Sequence, residues 1–160
     1  MNRKYTCQEF KNSINLLKKA YQNVLLTTDI IVGFPGETDE EFLKTYEFLK
    51  EVNFYKMHIF KYSKRKGTKA AIMESQIDGN IKELRSKKLI SLSNENEQKH
   101  NETYIGKTIE VLFEERENDF IKGHTTNYIM VKVKTNKKLE NQIINVKILE
   151  NKGNYLIGIV

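Results

Sequence analysis

Three groups of side chains in this sequence have types and spacings that could do chemistry. The first is the run Thr27-Thr28-Asp29-Ile30-Ile31-Val32-Gly33-Phe34-Pro35-Gly36-Glu37-Thr38. A strand alternates its faces, so Thr27, Asp29, Ile31 and Gly33 fall on one side and Thr28, Ile30 and Val32 on the other. An aspartate and a threonine on one face of a buried strand need polar partners or water. That is odd for a pure core and natural for a barrel lumen with a ligand. Gly33 and Gly36 allow close approach of the backbone, and Pro35 stiffens the turn. A helix that begins at Thr38 directs free N–H groups at whatever lies above it. Ligands in α/β folds gather at this end, outside the carboxyl ends of the strands. The same run also reads as a strand–turn–helix connection whose glycines serve only the turn.

The second group is basic. Residues 56 to 69 hold six Lys and Arg side chains, Lys64, Arg65 and Lys66 among them, and no acid. Tyr55, His58, Phe60 and Tyr62 are interleaved with them. Rings beside Lys and Arg form a recurrent surface for bases and phosphates. The other reading is a solvated loop after a buried aromatic strand. Its place at a strand's carboxyl end puts it on the same rim as Gly33. The third group, Lys122, His124, Asn127, Tyr128, Lys132 and Lys134, combines base, amide and aromatic chemistry around one strand. Small barrels bind nucleic acid on such faces, and a merely lysine-rich outer face is the alternative. His58 reads as a satisfied core histidine, and Cys7 as an incidental first-turn residue of a helix.

Two differently patterned parts must position these groups. In residues 1 to 102, Thr6-Cys7-Gln8-Glu9 and Thr38-Asp39-Glu40-Glu41 each fit a capping box that opens a helix. Phe10, Ile14, Leu17 and Tyr21 predict one apolar stripe. Phe42, Leu43, Tyr46, Leu49 and Val52 predict the buried face of the next helix. Val24 to Val32 and Tyr55 to Lys61 read as parallel strands, and a long polar helix is expected from about Asp78 to Asn101. Strands alternating with helices imply right-handed parallel crossovers. Two strands cannot make a parallel sheet covered on both faces, so this part reads as a piece of a larger sheet or barrel.

In residues 103 to 160 the period changes to two. Ile109, Val111 and Phe113 alternate, as do Ile129, Val131 and Val133, then Ile144, Val146 and Ile148. Tyr155 to Val160 reads as a closing strand, and Asn118-Asp119, Asn136 and the stretch 151 to 154 as turns. Several short strands at this spacing predict a small all-β barrel or sandwich.

Composition sets limits. The 160 residues are 39% hydrophobic and 30% charged, which is globular and not disordered. A net charge of +6 suits polyanionic partners. No stretch has the apolar length of a membrane span, and no secretory pattern opens the chain, so the cytoplasm is the expected location. Cys7 is the single cysteine. It excludes an internal disulfide and a cysteine-held iron–sulfur cluster. His58, His100 and His124 show no zinc spacing, so no metal site is expected.

Residues 28 to 38 resemble the strand–loop signature of the radical-SAM tRNA methylthiotransferases. Phe60, Tyr62-Ser63, Arg65, Gly67-Thr68 and Ala70 resemble that family's next strand–loop pattern. Met1-Asn2-Arg3-Lys4-Tyr5-Thr6 resembles an internal stretch of the same enzymes. Tyr104-Ile105-Gly106-Lys107, Val111-Leu112, Gly123, Thr125, Asn127-Tyr128-Ile129 and Val131 resemble its terminal TRAM domain. The ordered set covers essentially the whole chain. The resemblance implies a partial (β/α) barrel in residues 1–102 and an OB-like, RNA-binding TRAM barrel in residues 103–160. It implies S-adenosylmethionine and a [4Fe–4S] cluster as cofactors, and the anticodon stem-loop of tRNA as partner. The implied reaction adds a methylthio group at C2 of adenosine 37, with the threonylcarbamoyladenosine branch the nearer likeness and the isopentenyladenosine branch its competitor. Thr28, Asp29, Gly33, Pro35 and Glu37 would lie near the cofactor. Lys64, Arg65 and Lys66 would sit at the rim, and Lys107, Lys122, His124, Asn127 and Tyr128 would meet RNA. The family's C-x₃-C-x₂-C motif is absent. The implied role is therefore a C-terminal portion that acts with the enzyme's N-terminal half; a stand-alone, non-catalytic RNA-binding module is the alternative.

Overall fold

The computed structural model describes residues 3–160; Met1 and Asn2, which open the N-terminal resemblance, lie outside the described residues. The chain divides into two compact units, Met1–Ser93 and Asn94–Val160. Among the described residues no helix is long and apolar enough to cross a membrane.

The first unit contains α1 (Cys7–Ala20), β1 (Thr27–Val32), α2 (Asp39–Val52), β2 (Lys56–Lys61), a short 3-10 turn (Lys69–Ile72) and most of α3 (Gly79–Glu102). Both expected capping boxes form. The Thr6 hydroxyl accepts from Glu9 N–H at 3.2 Å, and Glu9 Oε2 accepts from Thr6 N–H at 2.7 Å. Thr38 and Glu41 repeat the exchange at 3.1 and 2.8 Å. Each box satisfies two N–H groups that a helix start leaves free. Helix α2 ends at Asn53, whose left-handed φ of 55° lets its N–H reach the Leu49 carbonyl.

β1 and β2 pair in parallel, Thr27 with Lys56 through Val32 with Lys61. β1 begins at Thr27, three residues later than the apolar run suggests, and the Leu26 carbonyl just ahead of it accepts from Tyr55 N–H at 2.9 Å. Val32, Phe42, Leu49, Val52, Phe54, Met57, Leu89 and Leu92 close one core with Ile14. The stripe on α1 is only half covered. Phe10 packs on that core, but Leu17 and Tyr21 stay 43% and 62% exposed. Leu43, expected on the buried face of α2, is likewise exposed. The outer edge of β2 is met by α3, whose Ser93 hydroxyl accepts from Met57 N–H at 2.9 Å.

The second unit is a closed barrel in the order β3 (Thr108–Glu117), β4 (Phe120–Thr125), β5 (Met130–Lys134), β7 (Leu156–Ile159), β6 (Ile143–Asn151). All pairs are antiparallel except β5 with β7. Val111, Phe113, Ile121, Ile129, Val131, Val146, Ile148 and Leu156 point inward and are fully buried. Period-two alternation had marked most of them. β4 had no such mark, because two of its three inward positions are Gly123 and Thr125. Gly123 is required there. A Cβ would drive into the Leu112 carbonyl and the Phe113 backbone of β3. Bulges at Phe113/Glu115 and Ile148/Glu150 bend β3 and β6 into closure. Asn118, at φ 56°, makes the tight turn between β3 and β4.

Candidate functional site

In the first unit the open face of the sheet carries Asp29 and Ile31 beside their register partners His58 and Phe60. All four are exposed. Two clefts of about 660 and 640 Å³ meet there. Residues from both faces of β1, Thr28 and Ile30 as well as Asp29 and Ile31, line the larger one, and no residue of β2 does. It therefore follows the edge of β1 that has no strand partner among the described residues. The smaller cleft lies over the open face, between Asp29, Phe60, Tyr62, Arg65 and Thr68. Asp29 and Phe34 belong to both.

The loop from Gly33 to Thr38 shapes this region. Glu37 Oε2 accepts from Gly33 N–H across the turn, and Gly36 N–H bonds to the Ser75 carbonyl at 2.9 Å. Gly33 adopts φ +70°, and a Cβ there would strike the Lys82 side chain. The close approach at Gly33 is thus made by α3. Gly36, at φ +83°, has open space where its Cβ would stand. Phe34 and Tyr62 meet edge to face at 5.3 Å, and the Lys82 ammonium lies 5.4 Å from the Tyr62 ring. The Tyr62 hydroxyl is buried without a hydrogen-bond partner.

Of the residues the sequence singled out, Thr28, Asp29, Pro35 and Glu37 gather on the larger cleft, and Gly33 sits beneath Lys82 beside it. Arg65 lines the smaller cleft, while Lys64 and Lys66 are exposed in the same loop. Sequence reasoning missed Arg85, a buried arginine on α3 that contacts Glu37. Its only signal was a charged residue in a helix too polar to show a clear buried face.

In the barrel unit, His124 and Tyr128 stack with ring centres 5.0 Å apart. Tyr128 is 81% exposed and held at φ +69° in the turn between β4 and β5. Beside it, Asn127 accepts from the Thr125 hydroxyl at 2.7 Å and donates to the Tyr104 hydroxyl at 2.8 Å. The Lys107 ammonium covers the Tyr104 ring at 5.3 Å. Tyr104 therefore links Lys107 to Asn127, and the stacked pair His124 and Tyr128 flanks Asn127 along the chain. His124 Nδ1 lies 2.6 Å from Glu114 Oε2. Lys122 stands apart from this group and pairs with Glu115, whose hydrogen bond raises the lysine pKa. Lys132 and Lys134 form ion pairs with Glu117 and Asp119. Much of the lysine charge on this face is thus neutralised by β3 and its turn, leaving rings, amide and Lys107 as the distinctive chemistry.

Among the described residues no group of His, Cys, Asp and Glu is placed to hold a metal, and Cys7 is a free, exposed thiol.

Residues 1–49 match the radical SAM superfamily, and residues 102–160 match the TRAM domain. The chain thus joins a radical-SAM match to a TRAM match, in that order. It is 44% identical over 156 residues to the threonylcarbamoyladenosine tRNA methylthiotransferase MtaB of Bacillus subtilis (strain 168), covering 94% of this chain and 34% of that protein. It is 42% identical over 161 residues to a tRNA-2-methylthio-N(6)-dimethylallyladenosine synthase of Lachnoclostridium phytofermentans, covering 99% and 35%. A synthase of the same name from Fusobacterium nucleatum subsp. nucleatum is 38% identical, covering 99% and 37%. Both parts of the chain, in order, are similar to radical-SAM tRNA methylthiotransferases. The chain spans about a third of the length of these relatives.

Proposed function

We propose that this chain is the C-terminal portion of a tRNA methylthiotransferase that adds a methylthio group at C2 of N6-threonylcarbamoyladenosine 37. The observation that carries the reading is the likeness along both units to tRNA methylthiotransferases, one named for threonylcarbamoyladenosine and one for dimethylallyladenosine. That likeness extends through the α/β unit, and so favours an enzyme portion over an RNA-binding module alone. In this reading residues 1–102 form the last part of a (β/α) barrel and residues 103–160 the TRAM domain. The N-terminal half of the enzyme is the partner at the unpaired edge of β1. The cytoplasm, where tRNA is modified, is the location.

The clefts have the size of small-molecule sites, and their residues fit a nucleoside-like ligand. Phe34, Ile31 and Phe60 offer apolar contact, while Asp29 and the unpartnered Tyr62 hydroxyl offer polar groups. S-adenosylmethionine is the proposed occupant, near Thr28, Asp29, Gly33, Pro35 and Glu37; when bound it would supply the methyl group and, given an electron, the radical. Asp29 would orient the ligand, Phe34 and Pro35 would keep water from it, and Arg65 with Lys64 and Lys66 would meet phosphate at the rim. The residues present do not fit an iron–sulfur cluster, since one exposed cysteine cannot hold it. The cluster of this reading belongs to the N-terminal half.

The anticodon stem-loop of tRNA is the proposed partner of the barrel, through Lys107, His124, Asn127 and Tyr128, with Lys122 at the margin. A stacked base on an exposed ring contributes about 1–3 kcal/mol. Fluorescence anisotropy with an anticodon stem-loop should show affinity falling between about 50 and 200 mM salt, and Tyr128→Ala weakening it roughly tenfold or more. Equal binding by wild type and Tyr128→Ala would remove the barrel from the RNA interface. Deleting the reading frame and analysing tRNA nucleosides tests the substrate. Loss of the 2-methylthio group from threonylcarbamoyladenosine supports the proposal, and loss from the isopentenylated nucleoside instead overturns the assignment of branch.

A further inference from the structure

The loop between β1 and α2 is held from outside by a residue 48 positions away. Arg85, on α3, has a side chain only 6% exposed. Its guanidinium donates to the Glu37 carbonyl at 3.0 Å, to Glu37 Oε2 at 2.8 Å and to Asp39 Oδ1 at 2.7 Å. The same Glu37 oxygen accepts from Gly33 N–H. The Phe42 ring lies 5.3 Å from the guanidinium carbon. A buried cation persists only where charged partners and further hydrogen bonds offset its desolvation. Among the described residues, the acceptors of Arg85 lie in this loop and the first turn of α2. Asp39 is 94% exposed, so water screens that pair and it adds little. Glu37, 15% exposed, is the partner that matters.

We propose that Arg85 is a positioning residue of the larger cleft, acting through Glu37. Arg85 fixes the Glu37 carboxylate, the carboxylate fixes Gly33 N–H, and together they set the turn that presents Phe34, Pro35 and Gly36 to the cleft. The inference rests on the reading of that loop as a cofactor rim, and adds to it a residue that touches no ligand. A guanidinium is needed because its planar fork reaches the carbonyl, the carboxylate and Asp39 together, which a single ammonium cannot.

Amide hydrogen exchange on the full chain, read by mass spectrometry beside equilibrium dialysis of S-adenosylhomocysteine, tests this. Arg85→Gln is expected to speed exchange in residues 33–38 roughly ten- to hundredfold, the scale of a lost charge-assisted hydrogen bond. Strands β3 to β7 should exchange as in wild type. Glu37→Gln should loosen the same segment, and the double variant should add little, because the two act through each other. Arg85→Lys, which keeps charge and stem, should leave the loop loose; wild-type exchange in Arg85→Lys would overturn the proposal, and this variant carries the test if Arg85→Gln fails to fold. Unchanged loop exchange in Arg85→Gln also overturns it. So does a rise spread evenly over β1, β2 and α2, which marks an ordinary structural ion pair. Weaker S-adenosylhomocysteine binding by Arg85→Gln, about tenfold or more, supports positioning for the cofactor; equal binding defeats it. A wild-type chain that binds none, with the loop still loosened in Arg85→Gln, removes the cofactor reading and leaves the positioning role standing.

Discussion

The barrel and the α/β unit bury their strands in opposite ways. Every barrel strand has a neighbour on both edges, and its inward side chains are sealed from water. In the α/β unit, β1 and β2 have only each other as strand partners among the described residues, and the paired residues Ile31 and Phe60 remain 40% and 52% exposed. Helices cover one face of that sheet and leave the other open. A closed barrel needs nothing further to satisfy its strands. An open face that mixes aspartate, histidine and aromatic rings is a surface for something other than its own core.

The comparison can be broken most severely inside the barrel. Phe113 is fully buried, and Phe113→Ala should cost about 3–5 kcal/mol, read as an earlier urea midpoint for the barrel. A cost below about 1 kcal/mol would contradict a sealed core. Gly123→Ala comes next, at about 1–3 kcal/mol or more, because the added methyl meets backbone that cannot move aside. Circular dichroism melts of that variant should lose barrel strand signal first.

A smaller effect should follow pH. Burial, and after it the charge of Lys107, hold the His100 imidazole below its ordinary value. Unfolded, the same ring takes a proton near pH 6.5, about the ordinary histidine value. The unfolded chain therefore binds more protons below that pH, and stability falls as pH drops towards the lower folded value. Heat melts should show Tm decreasing on acidification, with a flatter profile in His100→Gln; identical profiles would deny the ring this role. The smallest change is expected on the open sheet face. Phe60→Ala should shift stability by no more than about 0.5 kcal/mol, while weakening S-adenosylhomocysteine binding measured by dialysis. A large loss of stability would mean that the open face belongs to the core.

What could be read from the sequence follows the same division. Both capping boxes were legible because their physics is local, confined to Thr6 with Glu9 and Thr38 with Glu41. Three barrel strands were legible because alternation of Val, Ile and Phe reports inward and outward faces directly. β4 was not, since Gly123 lies inward for backbone clearance and Thr125 uses its hydroxyl to accept from Ile129 N–H and donate to Asn127, neither of which a hydropathy pattern carries. The parallel pairing of β5 with β7 was equally silent, because it depends on closure and not on either strand alone. At the cleft, the run from Thr28 to Glu37 announced itself through its glycines and its polar strand face. Arg85 did not, because its meaning lies in a partner far along the chain. Tyr104 was visible as a residue but not as the link between Lys107 and Asn127.

That late pairing of β7 also sets a timetable. β7 is the strand that joins β5 to β6, so the ring stays open until residues 156–159 have left the ribosome. The earlier hairpin of β3 and β4 can form while synthesis continues, but β3 must wait for β6 and the seam must wait for β7. Pairings between distant segments are slow to nucleate. During that interval the exposed edges of β5 and β6 are the part of the nascent protein most open to wrong partners.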